Sequence, residues 1–308
     1  MTSVWITGAK GFIGSHLAQS LSAAGTEVLG LGHGAWPDDI ARKNGVSFWV
    51  NGEIEDANLW QLLKRSGEPA AIYHLAGGSS VGFSMQTPRE DFHRTVTSTA
   101  TLLEWMRIFT PKTKLIAVSS AAVYGNSSAK TLTESGNYTP YSPYGFHKRV
   151  VETLCQSYAE NFGLNVNIVR LFSIYGPGLS KQLIWDLCCK LSSTPTTITL
   201  HGTGQELRDW VYIKDAVRIL EAVCKDKSHA FTIINGGSGH GTTVSDVVSQ
   251  VCQSWKQSPN IIFSGQQRPG DPMRLVADTK RLDRLGLKLE HDLEHGVDAY
   301  VKWFQAGR

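Results

Sequence analysis

At 308 residues, with 41% hydrophobic and 19% charged side chains, the chain has globular proportions, which exclude a disordered or fibrous protein. It is long enough to bury a large core, either as one big domain or as a large domain carrying a smaller one. A formal net charge of +3, with no block of like charges, excludes a basic surface for nucleic acid but not a local pocket for an anionic ligand.

In chain order, SVWIT (3–7) reads as a buried strand, the glycines after it as a tight turn, and SHLAQSLSAAG as a helix capped by Gly25. Further strands are expected at 27–32, 46–50 and 70–77, and a helix at 99–109. A strand running into a loop follows at 114–125, then a long helix at 142–163 closed by Gly163, then a strand in 164–176. Strands alternating with helices over short connections predict a doubly wound parallel, Rossmann-type α/β sheet for residues 1–176. From 177 the pattern loosens. ITLHGTG, FTIINGG and NIIFSG read as short strands between helical stretches at 214–225 and 244–256, which predicts a smaller α/β part over 177–308 that exchanges a strand and a helix with the first. No apolar run reaches the roughly 20 residues that span a bilayer, so no membrane contact is expected. The five cysteines (Cys155, Cys188, Cys189, Cys224, Cys252) lack CxxC or His/Cys spacing; they read as reduced thiols, with no metal site. The first strand begins too early to leave room for a signal peptide, and a cytoplasmic location is expected.

TGAKGFIG places Gly8, Gly11 and Gly14 between the first strand and the first helix. A pyrophosphate needs glycine in such a place, for a sharp turn, for close backbone approach and for tight helix packing, with the helix N-terminus attracting the anion. At the end of the second strand, where an acid often holds the ribose of NAD, stand Gly32 and His33. His33, Arg42 and Lys43 are there to pair with a 2′-phosphate or to sit solvated at the surface, and the expected cofactor is NAD or NADP.

In SPYGFHK, Tyr144 and Lys148 stand four residues apart on one helix face. A neighbouring ammonium, helped by a nicotinamide's positive charge, is expected to lower the phenol from its ordinary pKa near 10 toward the working range, so that Tyr144 can pass a proton to or from an alcohol oxygen. VSSAAVYG offers Ser119 and Ser120 at a strand end, where open α/β sheets bind ligands.

Together TGAKGFIG, HLAG, SSAAVYG, SPYGFHK and RLFSIYGPG, continued through GTGQELRDWVYIKDAV and RPGDPMRLVADTKRLDRLGLK, resemble the extended short-chain dehydrogenase/reductases, in particular their nucleotide-sugar epimerase, dehydratase and reductase group. The resemblance implies Tyr144 as acid/base, Lys148 as its partner and Ser120, rather than Ser119, as the third catalytic residue. It implies a cofactor site made by Gly8, Gly11, Phe12, Ile13, Gly14, His33, Glu53, Ile54, Leu75, Ala76, Gly77, Tyr144 and Lys148. For a nucleotide-diphosphate sugar it implies Ser80, Ser120, Ser173, Arg208, Arg268 and Asp271, the two arginines on the diphosphate. Lys181 and Gln182 are candidates to line the nucleotide pocket or to cap a helix. Arg208 could instead pair structurally with Asp209. Thr95 and Ser173 stand where the group usually has Asn.

Dehydratases of this group follow the catalytic hydroxyl residue with an Asp-Glu pair; here Ala121 and Ala122 follow Ser120, and neither moves a proton. Hydride transfer at C4 remains. The favoured expectation is a UDP-hexose-type 4-epimerase, the alternative an NADPH-dependent 4-keto-6-deoxy-sugar reductase, which the missing acid at Gly32 supports. A non-catalytic NAD(P)-binding sensor is a third reading, against which the intact Ser120, Tyr144 and Lys148 count. A homodimer is expected by the same resemblance.

Overall fold

A computed structural model describes residues 3–136, 138–227, 230–266 and 272–307. Two compact units divide the chain. Met1–Val123, Ser142–Leu171 and Val217–Ile234 form the first; Tyr124–Tyr141, Phe172–Ala216 and Asn235–Arg308 form the second.

The strands are β1 (Ser3–Thr7), β2 (Glu27–Gly32), β3 (Phe48–Asn51), β4 (Ala71–His74), β5 (Lys114–Ser120), β6 (Val166–Leu171), β7 (Ser173–Tyr175), β8 (Thr197–Leu200), β9 (Leu207–Tyr212), β10 (Phe231–Gly236), β11 (Gly241–Thr243), β12 (Asn260–Phe263) and β13 (Arg274–Leu275). A seven-stranded sheet has the order β10-β6-β5-β4-β1-β2-β3, and β1 to β6 pair in parallel. The order reverses between β1 and β4, which puts the ends of these strands at the topological switch point where open α/β sheets hold ligands. This is the doubly wound sheet that the alternating pattern predicts. β1 and β6 are buried along their whole length because both faces are covered.

The core of the first unit lies between this sheet and the helices Ser98–Phe109 and Pro143–Phe162. Trp5, Leu29, Ile72, Leu115 and Ile168 from the strands meet Leu102, Trp105, Met106, Val151 and Cys155 from the helices. The Trp5 and Trp105 rings lie 5.7 Å apart and tilted, a pair that contributes about 0.5–1.5 kcal/mol beyond its buried area.

In the second unit β9 pairs with β7, β11 and β13, while β8 and β12 form a separate parallel pair. One expectation needs dividing. The run 164–176, read as a single strand, is two: β6 joins the large sheet, and β7 pairs with β9. The segment FTIINGG, read among the strands of the C-terminal part, becomes β10 at the edge of the large sheet beside β6. All five cysteines are free thiols. Among the described residues no helix is long and apolar enough to cross a membrane.

Candidate active site

β1 runs into the glycine turn, and the backbone there has no room for side chains. Gly8 adopts φ +76°, and a Cβ on it would come within 3.0 Å of the Ala76 amide nitrogen. A Cβ on Gly14 would lie 2.2 Å from the Gly8 carbonyl oxygen. Gly11 is the N-cap of the helix Phe12–Ala23 and offers it no side-chain cap, which leaves first-turn amides for a ligand. The cradle therefore fits a dinucleotide pyrophosphate, and any side chain would fill it. Phe12 and Ile13 follow, partly buried in the first turn. Leu75, Ala76 and Gly77 line the loop after β4, where Thr7 Oγ1 accepts from the Ala76 amide at 3.3 Å.

The absent acid at the end of β2 has a steric reason. A Cβ on Gly32 would stand 3.1 Å from the Trp49 ring and 3.5 Å from the Gly8 backbone. Next to it the exposed His33 pairs with Glu53, Nε2 to Oε1 at 3.4 Å. Ile54 packs against the hydrophobic core.

Tyr144 and Lys148 lie on the helix Pro143–Phe162, which Ser142 starts by accepting from the Gly145 amide at 3.2 Å, with proline in the first turn. A second tie fixes the tyrosine, whose own amide donates to Ser84 Oγ at 3.1 Å. Ser120 ends β5, where its hydroxyl accepts from the Ala122 amide at 3.2 Å and lies near enough to the Tyr144 phenol to bear on its charge. Lys148 is buried; its ammonium donates to the Val118 carbonyl at 3.0 Å and sits 5.9 Å from the centre of the Tyr144 ring. Ser120, Tyr144 and Lys148 are thus brought together in one unit. Ser119 faces the other way and donates to Glu152 Oε1 at 2.6 Å, which separates the two serines by role.

In the chain by itself, exclusion of water raises the Tyr144 pKa, the nearby Ser120 hydroxyl opposes this, and the Asp91 charge adds to the rise. Burial also brings Lys148 down to about 8, against the pull of Asp91 and Glu152. His74, buried between Thr7 Oγ1 at 2.7 Å and Thr99 Oγ1 at 2.9 Å, is pushed down to about 3 by burial and then by the Lys148 charge, so it is a neutral hydrogen-bonding bridge.

Residues 4–236 match the NAD dependent epimerase/dehydratase family. The chain belongs to this family. Its relatives include a putative UDP-glucose 4-epimerase of Methanocaldococcus jannaschii, 27% identical over 311 residues that cover 98% of each chain. The UDP-glucuronic acid 4-epimerase from Bacillus cereus, solved with UDP-glucuronic acid and NAD, is 27% identical, covers 100% of each chain and superposes with a TM-score of 0.89. MoeE5, solved with UDP-glucuronic acid and NAD, is 28% identical, covers 99% of this chain and 100% of its own, and has a TM-score of 0.88.

The family's substrate positions read from the sequence are more dispersed. In the first unit, Ser80 caps the helix Val81–Gln86, accepting from the Phe83 amide at 3.3 Å. In the second unit, Ser173 on β7 stands opposite Trp210 of β9. Arg208, two residues before that tryptophan, donates to the Leu207 carbonyl at 2.9 Å. Lys181 and Gln182 stand together where the helix Gln182–Leu191 begins, and Gln182 takes φ +71°, a left-handed conformation costly for a side chain with a Cβ. Arg268 and Asp271 lie outside the described residues.

Two groups escaped the sequence reading. Glu152 receives Arg170 in a bidentate pair, 2.8 Å at both oxygens, as well as Arg149 at 3.2 Å. An arginine inside the apolar run VNIVRL was the available signal, since a charge there demands a buried partner. The other group is Asp91, fully buried, with His147 Nδ1 at 2.6 Å from Oδ2. Nothing in the sequence links two residues so far apart.

Proposed function

We propose that this chain is a cytoplasmic NAD(P)-dependent 4-epimerase of a UDP-sugar, a hexose or hexuronate. What carries the reading is Ser120 at the end of β5 beside the Tyr144 phenol, with the buried Lys148 ammonium 5.9 Å from the Tyr144 ring centre and Ala121 and Ala122 in the two positions after Ser120. That set moves a proton at one hydroxyl and supplies no acid or base for eliminating another. A dinucleotide held at Gly8, Gly11 and Gly14 would supply hydride chemistry at the sugar C4. Tyr144 accepts the C4 hydroxyl proton as the carbonyl forms and gives it back on reduction, while Ser120 holds the same oxygen. Lys148 stabilises the phenolate by its charge. In this reading the N-terminal 1–176 binds the dinucleotide and 177–308 the nucleotide sugar, with Arg208, Arg268 and Asp271 on its diphosphate and hydroxyls. Relatives solved with NAD and UDP-glucuronic acid support this substrate class.

The test is to denature the purified protein, identify the dinucleotide released, and offer UDP-glucose and UDP-glucuronic acid without added nucleotide. Retained NAD and turnover to the 4-epimer are the expected results. Stoichiometric NADPH consumption with a 4-keto sugar would instead mark a reductase.

The cradle gives a prediction of its own. Gly14→Ala puts a methyl against the Gly8 carbonyl and is expected to weaken NAD binding about tenfold or more, read by calorimetry. The reading also includes a homodimer. Phe146, Val150 and Phe162 on one long helix, and Ile108 and Phe109 on another, are exposed large apolar side chains, the composition of a helix face meant to be covered. Phe146→Asp is expected to shift the mass measured by light scattering from dimer to monomer.

A further inference from the structure

Lys148 sits among four groups whose charge bears on its own, and three of them have no charge to spare. Glu152 is engaged by Arg170, Arg149 and the Ser119 hydroxyl. Cys155 is a thiol that burial pushes up to about 12, hence neutral. His74 is neutral between two threonines. Asp91 is the exception. It is fully buried, one oxygen meets His147 Nδ1 at 2.6 Å, and the other, Oδ1, has no hydrogen-bond partner.

That orphan oxygen faces the loop after β4. A Cβ on Gly78 would lie 1.9 Å from Asp91 Oδ1 and 3.1 Å from Thr95 Oγ1, and one on Gly77 would lie 3.6 Å from Lys148 Nζ. Thr95 Oγ1 accepts from the Gly78 amide at 2.8 Å. Asp91, Thr95 and Lys148 therefore surround the same two glycines, close to the acid/base residue. His147 is itself held, with the Phe92 ring edge-on at 5.3 Å.

Resting on the epimerase reading, we propose that Asp91 is a positioning residue, the buried counter-ion that keeps the Lys148 ammonium charged, and that His147 fixes it in place. A buried carboxylate without a full set of hydrogen bonds is costly, and it persists where a nearby cation repays the cost. Its influence has the right sign, because the Asp91 charge opposes the burial that brings Lys148 down. The same charge raises Tyr144, so Asp91 moves both members of the pair in one direction. The carboxylate sets the pH range in which phenol and ammonium work together, without touching the sugar.

The test uses the full chain carrying 13Cε-lysine, with the Lys148 signal assigned by its loss in Lys148→Met. In Asp91→Asn the Lys148 titration midpoint is expected to fall by about one pH unit. An unchanged midpoint overturns the proposal. Should Asn not be tolerated, Asp91→Ser removes the same charge and is read in the same way. His147→Asn keeps a donor for Asp91 and is expected to leave the midpoint at the parent value; a fall equal to that of Asp91→Asn overturns the role given to His147. None of these readings requires turnover, so failure of the epimerase reading would show separately as parent protein that leaves UDP-sugars unchanged. With turnover, both limbs of the kcat/KM profile of Asp91→Asn move to lower pH while KM stays constant, whereas a merely structural residue would lower the rate at every pH alike.

Discussion

Tyr144→Phe is expected to lower turnover of the UDP-sugar about 10²–10⁴-fold, the usual worth of a positioned general acid/base, while NAD affinity changes little. The substitution deletes one oxygen from a ring whose position is fixed independently, by the Ser142 cap and by the Tyr144 amide donating to Ser84. The helix therefore stays where it is, and the loss reports on the proton alone. Single-turnover kinetics and calorimetry on the same preparation separate the two quantities. A variant that kept full activity would remove Tyr144 from the chemistry.

Glu152→Gln is the change expected to cost the most stability, about 3–5 kcal/mol. Glu152 and Arg170 are both fully buried, and the glutamine keeps the shape of the side chain while losing its charge. A guanidinium cannot shed its proton, so Arg170 would remain charged in an apolar interior after losing its carboxylate. Arg170→Leu is expected to cost less, because Glu152 can take up a proton and keeps Arg149 at 3.2 Å. Urea unfolding should show the midpoint falling further for Glu152→Gln than for Arg170→Leu, with the slope m unchanged in both.

Why the family could be read in the sequence follows from where its signals sit. Gly8, Gly11 and Gly14, and the Tyr144 and Lys148 pair, are each local: a turn or a helical turn places them without help from distant chain. The parallel sheet was legible for the same reason, since buried strands are continuous apolar runs. What the sequence did not specify was long-range. The Asp91 to His147 pair spans 56 residues, and although an exchanged strand was expected, the pattern did not show that it would be β10 beside β6. The helix Leu293–Gln305 was passed over although it carries a strong apolar face. Its Gly296 looks like a breaker, yet a Cβ there would stand 2.2 Å from the Tyr175 hydroxyl oxygen, so the glycine serves close packing. Spacing also could not show the sign of the Tyr144 shift. The ammonium four residues away was visible in the sequence; the exclusion of water that raises the phenol was not.

Deuterium placed at C4 of the UDP-sugar tests the central claim most directly. If hydride leaves C4 and returns to C4 while Tyr144 handles only the hydroxyl proton, mass spectrometry and NMR will find the 4-epimer with its label still on C4. Label lost to water, or found on C6 of a dehydrated product, would contradict the account.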